Sequence, residues 1–234
     1  MIDIHSHVLP GIDDGSKSMS MSLEILQGLE EQGITDLICT PHYIAESCQV
    51  SPRSENEKIL KELQEKADKK GLKIKLYLGN EIYIDKDILK LLRSKKISPL
   101  GKNKYLLVEL PMSGEFQQYD DILLNLKQKG WNVILAHPER YHSFQKNYKK
   151  ITELYQQGIL LQCNLGSFIG QYGRHAKKTA QKIAKDKLMF CVGTDIHRPR
   201  DYNEIAKAQK KLRKYYAFHE LDAVLVQNPF KIVQ

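Results

Sequence analysis

Five of the eight histidines in this 234-residue chain stand in short motifs built from residue types that bind metal ions. They are His5 and His7 in His5-Ser6-His7, His42 in Thr40-Pro41-His42-Tyr43, His137 in Ala136-His137-Pro138, and His197 in Thr194-Asp195-Ile196-His197. Glu81 in Gly79-Asn80-Glu81, Glu109 in Leu107-Val108-Glu109 and Asp195 add carboxylates, and the turn Asp13-Asp14-Gly15 offers Asp14 as a further oxygen donor. Histidine and carboxylate without cysteine form a borderline-to-hard donor set, suited to Mn²⁺, Fe or Zn²⁺. So many donors exceed what one tetrahedral or octahedral ion uses, which predicts two or three ions sharing bridging carboxylates. Divalent ions of this kind lower the pKa of bound water to about 7 and so supply a nucleophile at neutral pH. The chemistry expected is metal-assisted hydrolysis.

Thiol chemistry does not fit. A cysteine nucleophile that also cradles phosphate needs C-x₅-R, but Cys39 meets Ala45, Cys48 meets Ser54, Cys163 meets Ile169 and Cys191 meets His197 at that offset. Three of the cysteines lie inside apolar runs and none forms C-x-x-C, which fits reduced thiols and a cytoplasmic setting. The start, Met1-Ile2-Asp3-Ile4-His5, lacks the basic and apolar run of a leader. No stretch approaches the roughly 20 apolar residues of a bilayer crossing, so no membrane span is expected. Lys and Arg number 36 against 28 Asp and Glu, a net +8. Most of the lysines recur at helical spacing, as in Lys58, Lys61 and Lys66, and read as solvated faces. A non-catalytic module docking nucleic acid through that charge is the competing reading from another class.

The motifs must be brought together by the elements between them. Seven apolar runs predict strands: Ile2 to His5, Asp36 to Thr40, Ile74 to Gly79, Tyr105 to Leu110, Val133 to Ala136, Leu160 to Asn164 and Phe190 to Gly193. Helices are predicted over Ser18 to Gln32, Ser54 to Lys70, Asp87 to Leu92, Tyr119 to Lys129, Lys149 to Gln157, Arg174 to Lys185 and Asp201 to Tyr216. Gly33, Gly71, Gly130 and Gly158 read as C-caps and Ser54 with Glu57 as a capping box. A last apolar segment, Leu221 to Val226, precedes Asn228-Pro229. Strict alternation without linkers predicts one α/β domain, residues 1–234, with parallel strands and right-handed crossovers. Neither G-x-G-x-x-G nor G-x-x-x-x-G-K-[ST] occurs. Six of the seven predicted strands carry a histidine or carboxylate donor at or just after their C-terminal end, and the sixth strand carries Asn164 instead. In a closed α/β barrel those ends open on one face, where active sites lie.

Together with Ala136-His137-Pro138-Glu139-Arg140-Tyr141, these motifs resemble the polymerase-and-histidinol-phosphatase (PHP) metal-hydrolase superfamily. Within it they are most similar to the bacterial manganese-dependent protein-tyrosine phosphatases of capsule and exopolysaccharide operons. The resemblance implies an α/β fold, a distorted seven-stranded (β/α)7 PHP barrel with its metal site at the C-terminal ends of the strands. It implies three ions: His5, His7, Glu81 and Asp195 around the first; Glu81, Glu109 and His137 around the second; Asp14, His42 and His197 around the third. Arg140 matches a family arginine that contacts the phosphate. A second follows the last histidine, which leaves Arg198 or Arg200, with Arg198 in the catalytic role and Arg200 in substrate binding. Tyr43, Tyr83 and Tyr141 directly follow donor motifs, as walls of a substrate pocket or as packing. The implied reaction is hydrolysis of phosphotyrosine by metal-activated water, without a phosphoenzyme, on the tail of a bacterial tyrosine kinase that regulates polysaccharide synthesis. Hydrolysis of a small monoester such as histidinol phosphate, or of a phosphodiester, is the alternative within the superfamily. The amidohydrolases also begin with H-x-H, but they place lysine and histidine where this chain has Glu109 and Asn164.

Overall fold

Aliphatic and β-branched runs form nine short strands: β1 (Ile2–Asp3), β2 (Asp36–Cys39), β3 (His42–Tyr43), β4 (Lys75–Leu78), β5 (Glu81–Tyr83), β6 (Tyr105–Glu109), β7 (Asn132–Ala136), β8 (Leu160–Asn164) and β9 (Cys191–Gly193). This computed structural model describes residues 1–45, 47, 51–84, 88–94, 96–101, 103–112 and 117–234. All pairings of these strands are parallel, in a three-stranded sheet of order β1-β2-β4 and a six-stranded sheet of order β3-β5-β6-β7-β8-β9. The sheet curls. Beyond the last strand, Ile196 forms a parallel bridge with Ser6, and the amides of Asp195 and His7 donate to the carbonyls of His5 and Ile196 at 2.9 and 3.0 Å.

The count differs from the seven strands expected because two runs are interrupted. Thr40-Pro41 separates β2 from β3, and Gly79-Asn80 separates β4 from β5. Proline has no N–H to give a ladder. The Asn80 side chain bridges the break, donating through Nδ2 to the Pro41 carbonyl at 2.9 Å and accepting the Ser98 amide at 2.8 Å.

Side-chain period two sorts the strand residues onto two faces. Leu106 and Val108 of β6, with Val133 and Leu135 of β7, join the large core beneath the helices. Leu107, Ile134 and Ala136 point the other way, into a smaller cluster with Ile2, Ile4, Ile38 and Cys191. Both faces are buried, as a parallel sheet covered by helices requires.

The helices are α1 (Met19–Glu31), α2 (Arg53–Lys69), α3 (Ile88–Arg93), α4 (Gln117–Gln128), α5 (His142–Lys146), α6 (Lys149–Gln156), α7 (Gly173–Lys185), α8 (Ile205–Leu212), α9 (Phe218–Asp222) and α10 (Asn228–Val233). Ser18 caps α1, accepting the Met21 amide at 3.2 Å. Gly33, Gly71, Gly130 and Gly158 all have φ between 81 and 84° at the ends of their helices. The expected Ser54–Glu57 capping box is not formed. The helix is capped two residues earlier, at Pro52, whose carbonyl accepts the Glu55 and Asn56 amides, and Glu57 pairs with Arg53 Nε at 2.8 Å. The segment expected as one helix from Asp201 opens as a 3₁₀ turn, Pro199–Glu204. Asn228-Pro229 interrupts no helix: the backbone runs from α9 through a π-helical turn, Ala223–Gln227, directly into α10, and Pro229 falls where the hydrogen-bond pattern changes. Asp87 and Cys48 lie outside the described residues. Among the described residues no helix is long and apolar enough to cross a membrane.

Candidate metal centre and active site

Nine donor side chains converge where β1, β2, β4, β6, β7 and β9 end, with His42 and Glu81 opening β3 and β5 just beyond β2 and β4. Three groupings place ligand atoms within 4.8 Å of one another around buried carboxylates: His5, His7 and Glu81; His5, His137 and Asp195; His42, Glu81 and Glu109. A fourth, His7, Asp14, His42 and His197, lies toward solvent, with the Asp14 side chain 58% exposed. Glu81 is central: its oxygens lie 3.2 Å from His5 Nε2, 3.3 Å from His7 Nε2, 3.1 Å from His42 Nδ1 and 2.9 Å from His137 Nε2. Glu109 stands 3.7 Å from His137 Nε2 and 3.8 Å from His42 Nδ1. His137 and Asp195 reach this place with φ of 34° and 54°, a left-handed backbone that costs energy for side chains other than glycine and recurs at functional sites.

Hydrogen bonds behind the histidines fix which ring nitrogen faces inward. Asn164 Nδ2 donates to Asp195 Oδ2 at 2.7 Å, so its Oδ1 is turned to accept Gln162 Nε2 at 2.9 Å. Gln162 Oε1 is thereby left facing His5 Nδ1 at 2.9 Å, and His5 must donate from Nδ1. His7 Nδ1 donates likewise to Asp13 Oδ2 at 2.7 Å, and His197 Nδ1 to the Asp195 carbonyl at 2.8 Å. When both rings are neutral, the inward Nε2 atoms of His5 and His7 present lone pairs to each other across 3.3 Å, with Glu81 and Asp195 beside them. Facing lone pairs and carboxylates repel unless cations lie among them, so the donor set fits divalent ions, in the carboxylate-and-amide-oriented histidine pattern of metal sites.

Protonation follows the same crowding. Burial opposes charge on His5, but Glu81 and Asp195 outweigh it and raise its pKa to about 9. Burial and the charge on Glu81 push Glu109 up to about 8. Burial would also raise Glu81 and Asp195, yet the surrounding histidines hold both below the usual carboxylate range. His137 is lowered by burial. The three described cysteines, Cys39, Cys163 and Cys191, are buried, and burial raises their thiols, Cys39 to about 12, which leaves no thiolate at neutral pH.

Arg140, in the 3₁₀ turn just after His137, donates from Nη1 to Asp195 Oδ2 at 2.7 Å with its side chain 25% exposed. Its sequence neighbour Glu139 is not its partner. Glu139 is buried and accepts the Asn164 amide at 2.8 Å and the Ser167 hydroxyl at 2.7 Å. Arg198 and Arg200 are both exposed, and among the described residues no hydrogen bond or ion pair joins either guanidinium to the nine donors. The Arg198 amide binds Asp201 Oδ2 at 3.1 Å, and Arg200 Nε lies 4.0 Å from Asp201 Oδ1. Tyr43 does not wall a pocket: it is 3% exposed and packs into the core, because its place on β3 turns it away from His42. Tyr141 is likewise buried, accepting the Leu110 amide and donating to the Ala136 carbonyl.

Four contributors had no separate signal in the sequence. Gln162 and Asn164 share one face of β8 by period two, but amides there read as packing. Asp13 reads as a turn former, although it also accepts the amides of Gly15 and His42 at 2.9 and 3.0 Å. Tyr172, before α7, lies beneath the Arg140 guanidinium, 4.4 Å from ring centroid to Cζ, with its hydroxyl 3.5 Å from Asp195 Oδ2.

Fold and site define a class: α/β proteins that gather histidine and carboxylate ligands at the C-terminal ends of a curled parallel sheet. The profile of the family described as capsular polysaccharide synthesis, CpsB/CapC, matches residues 1–234, and the chain belongs to that family. CapC of Staphylococcus aureus is 32% identical over 231 residues, covering 96% of this chain and 88% of the relative. Tyrosine-protein phosphatase CpsB of Streptococcus pneumoniae is 29% identical over 242 residues, covering 100% and 98%. A solved structure from work on YwqE of Bacillus subtilis and CpsB of Streptococcus pneumoniae, described as unique metal-dependent tyrosine phosphatases, superposes with a TM-score of 0.87 at 26% identity, covering 100% of this chain and 94% of that one.

Proposed function

We propose that the chain is a metal-dependent protein-tyrosine phosphatase, a single domain built as a seven-stranded PHP barrel in which β2 with β3 and β4 with β5 are interrupted single strands. The observation that carries this is the set of inward-facing histidine nitrogens and carboxylates beside Arg140, the one guanidinium among the described residues that reaches them. His5, His7, Glu81 and Asp195 would hold one ion, Glu81, Glu109 and His137 a second, and Asp14, His42 and His197 a third. Manganese suits the donors, with iron or zinc compatible. Bound ions would supply water activated for attack on phosphorus at neutral pH.

The chain's own residues do the rest. Gln162, Asn164 and Asp13 hold His5 and His7 with their lone pairs inward. Arg140 keeps N–H donors beyond the one given to Asp195, and these are placed to take phosphoryl oxygens as charge builds on them. The phenol released has a pKa near 10, so its departure asks less of a general acid than an alkoxide would. Arg198 is retained as the second guanidinium and Arg200 as a substrate contact, both reached from the exposed turn after His197. The phosphotyrosine protein in question is the tail of a bacterial tyrosine kinase in the capsule system, met in the cytoplasm.

A substrate panel tests the reading. With manganese present, a phosphotyrosine peptide should turn over faster than a phosphoserine peptide, histidinol phosphate or single-stranded DNA. Preference for histidinol phosphate or for a phosphodiester would assign the site to the other superfamily chemistry.

A further inference from the structure

Next to the metal site lies a second feature to which no role has been given. An open cleft of about 390 Å³ is lined by Arg140, His142, Gln145, Tyr172, Arg174 and His175, together with Met112 and Gly173. Its size falls within the range of small-ligand sites, roughly 300–1,000 Å³. The cleft and the metal site share a wall. Arg140 lines the cleft while its Nη1 holds Asp195, and the Tyr172 ring lies beneath that guanidinium with its hydroxyl near the same carboxylate.

The charges in the cleft have one sign. Arg140 and Arg174 are cations, His142 and His175 stand beside them, and no carboxylate lines it among the described residues. Among those residues no hydrogen bond or ion pair occupies the exposed Arg174 side chain. Other clefts among the described residues contain carboxylates. One of about 460 Å³ sets Arg200 and Lys207 against Asp201 and Glu204, one of about 170 Å³ sets Arg53 and Lys104 against Glu57, and a narrow one is lined by Asp201 and Glu204 without a cation. A concave cationic patch attracts anions and discriminates by charge complementarity.

The geometry points to a subsite, with Arg174 as its recognition residue, for an anionic side chain flanking the phosphotyrosine of the substrate. It rests on the phosphatase reading above and adds what the enzyme reads next to the scissile group. Consecutive residues of a peptide lie 3.8 Å apart at Cα, so a neighbour of a tyrosine held beside Arg140 comes within side-chain reach of the cleft. The anion has two sources, an Asp or Glu carboxylate or a second phosphorylated tyrosine, and the two have the same complement here.

The experiment uses the manganese-loaded full chain and three phosphotyrosine peptides: one with alanine flanks, one with a glutamate flank, and one flanked by a non-hydrolysable difluorophosphonate analogue of phosphotyrosine. The wild type should favour at least one anionic peptide over the alanine peptide by about fivefold in kcat/KM, the upper end of what an exposed ion pair delivers. The gain should fall in KM with kcat little changed, and it should fade as salt rises. Arg174→Ala should abolish the preference, Arg174→Glu should reverse it, and Arg174→Lys should keep most of it. Whichever anionic arm carries the larger gain identifies the source. Turnover of all three peptides at one rate by the wild type, or an undiminished preference in Arg174→Ala, would overturn the subsite and leave the phosphatase reading standing. No turnover of the alanine peptide by the wild type would instead overturn the phosphatase reading.

Discussion

At the scale of single residues, the site depends on side chains that hold the histidine donors from behind. Gln162 fixes His5, and Asp13 fixes His7 while also holding the amides of Gly15 and His42. Removing a partner of this kind typically weakens metal binding 10- to 100-fold. Gln162→Leu and Asp13→Ala should each do so, measured by competition with a chromophoric chelator. Unchanged affinity in both would show that the ligands orient themselves. Arg140→Ala is expected to lower kcat by about 10²- to 10³-fold, the usual cost of losing a preorganised donor, while the metal content stays the same. Arg198→Ala should lower kcat more than Arg200→Ala; a loss confined to Arg200→Ala would move the second phosphate contact there. The donor residues themselves were legible because histidine is scarce and five of eight stood beside strand ends. Their supports were not. Glutamine, asparagine and tyrosine are ordinary on strands and helices, and only the curled sheet shows that Gln162 faces His5, that Asn164 faces Asp195 and that Tyr172 lies under Arg140.

At the scale of elements, hydrophobic period and glycine caps located all seven runs and six helices to within one or two residues, while the helix expected over Asp201 to Tyr216 is four residues shorter at each end. What escaped was set by backbone accounting. Proline at position 41 interrupts one run, and the Asn80 side chain takes over part of the ladder. Asn80→Ala would leave the buried Ser98 amide without its acceptor, at a cost of about 1–3 kcal/mol. For a chain of this size each kcal/mol lowers Tm by about 2–4 °C. Calorimetry of the variant should therefore show a drop of several degrees, and an unchanged Tm would mean that another group satisfies Ser98. The left-handed residues His137 and Asp195 were equally invisible: Asp and His visit positive φ more often than most side chains, but most of them in any chain do not. The same turns aim their side chains at Glu81 and His5.

At the scale of the whole molecule, the cluster concentrates buried charge that metal ions would balance, and this links stability to pH. His5 has its pKa raised to about 9 in the fold, so its stabilisation is complete below its unfolded value of about 6.5 and is lost as pH rises through 9. Glu109, raised to about 8, binds a proton in the fold that it would release when unfolded, so it too favours the fold less as pH rises from about 4.3 through 8. The signs agree. Chelator-treated protein should lose Tm between about pH 6.5 and 9, whereas metal-loaded protein, whose ligands are already deprotonated, should not follow that fall. A chelated Tm that climbs across this window would contradict the charge balance described here.

The central claim is that these nine side chains hold the divalent ions on which phosphotyrosine hydrolysis depends, and metal content measured alongside turnover of a phosphotyrosine peptide tests it most directly. Purified protein should carry two or three ions per chain, lose all turnover when they are stripped, and regain it on addition of Mn²⁺, with Glu81→Ala lowering both ion content and rate and His142→Ala leaving ion content unchanged. Full turnover by the stripped, metal-free protein, or its loss on mild thiol alkylation alone, would contradict the account.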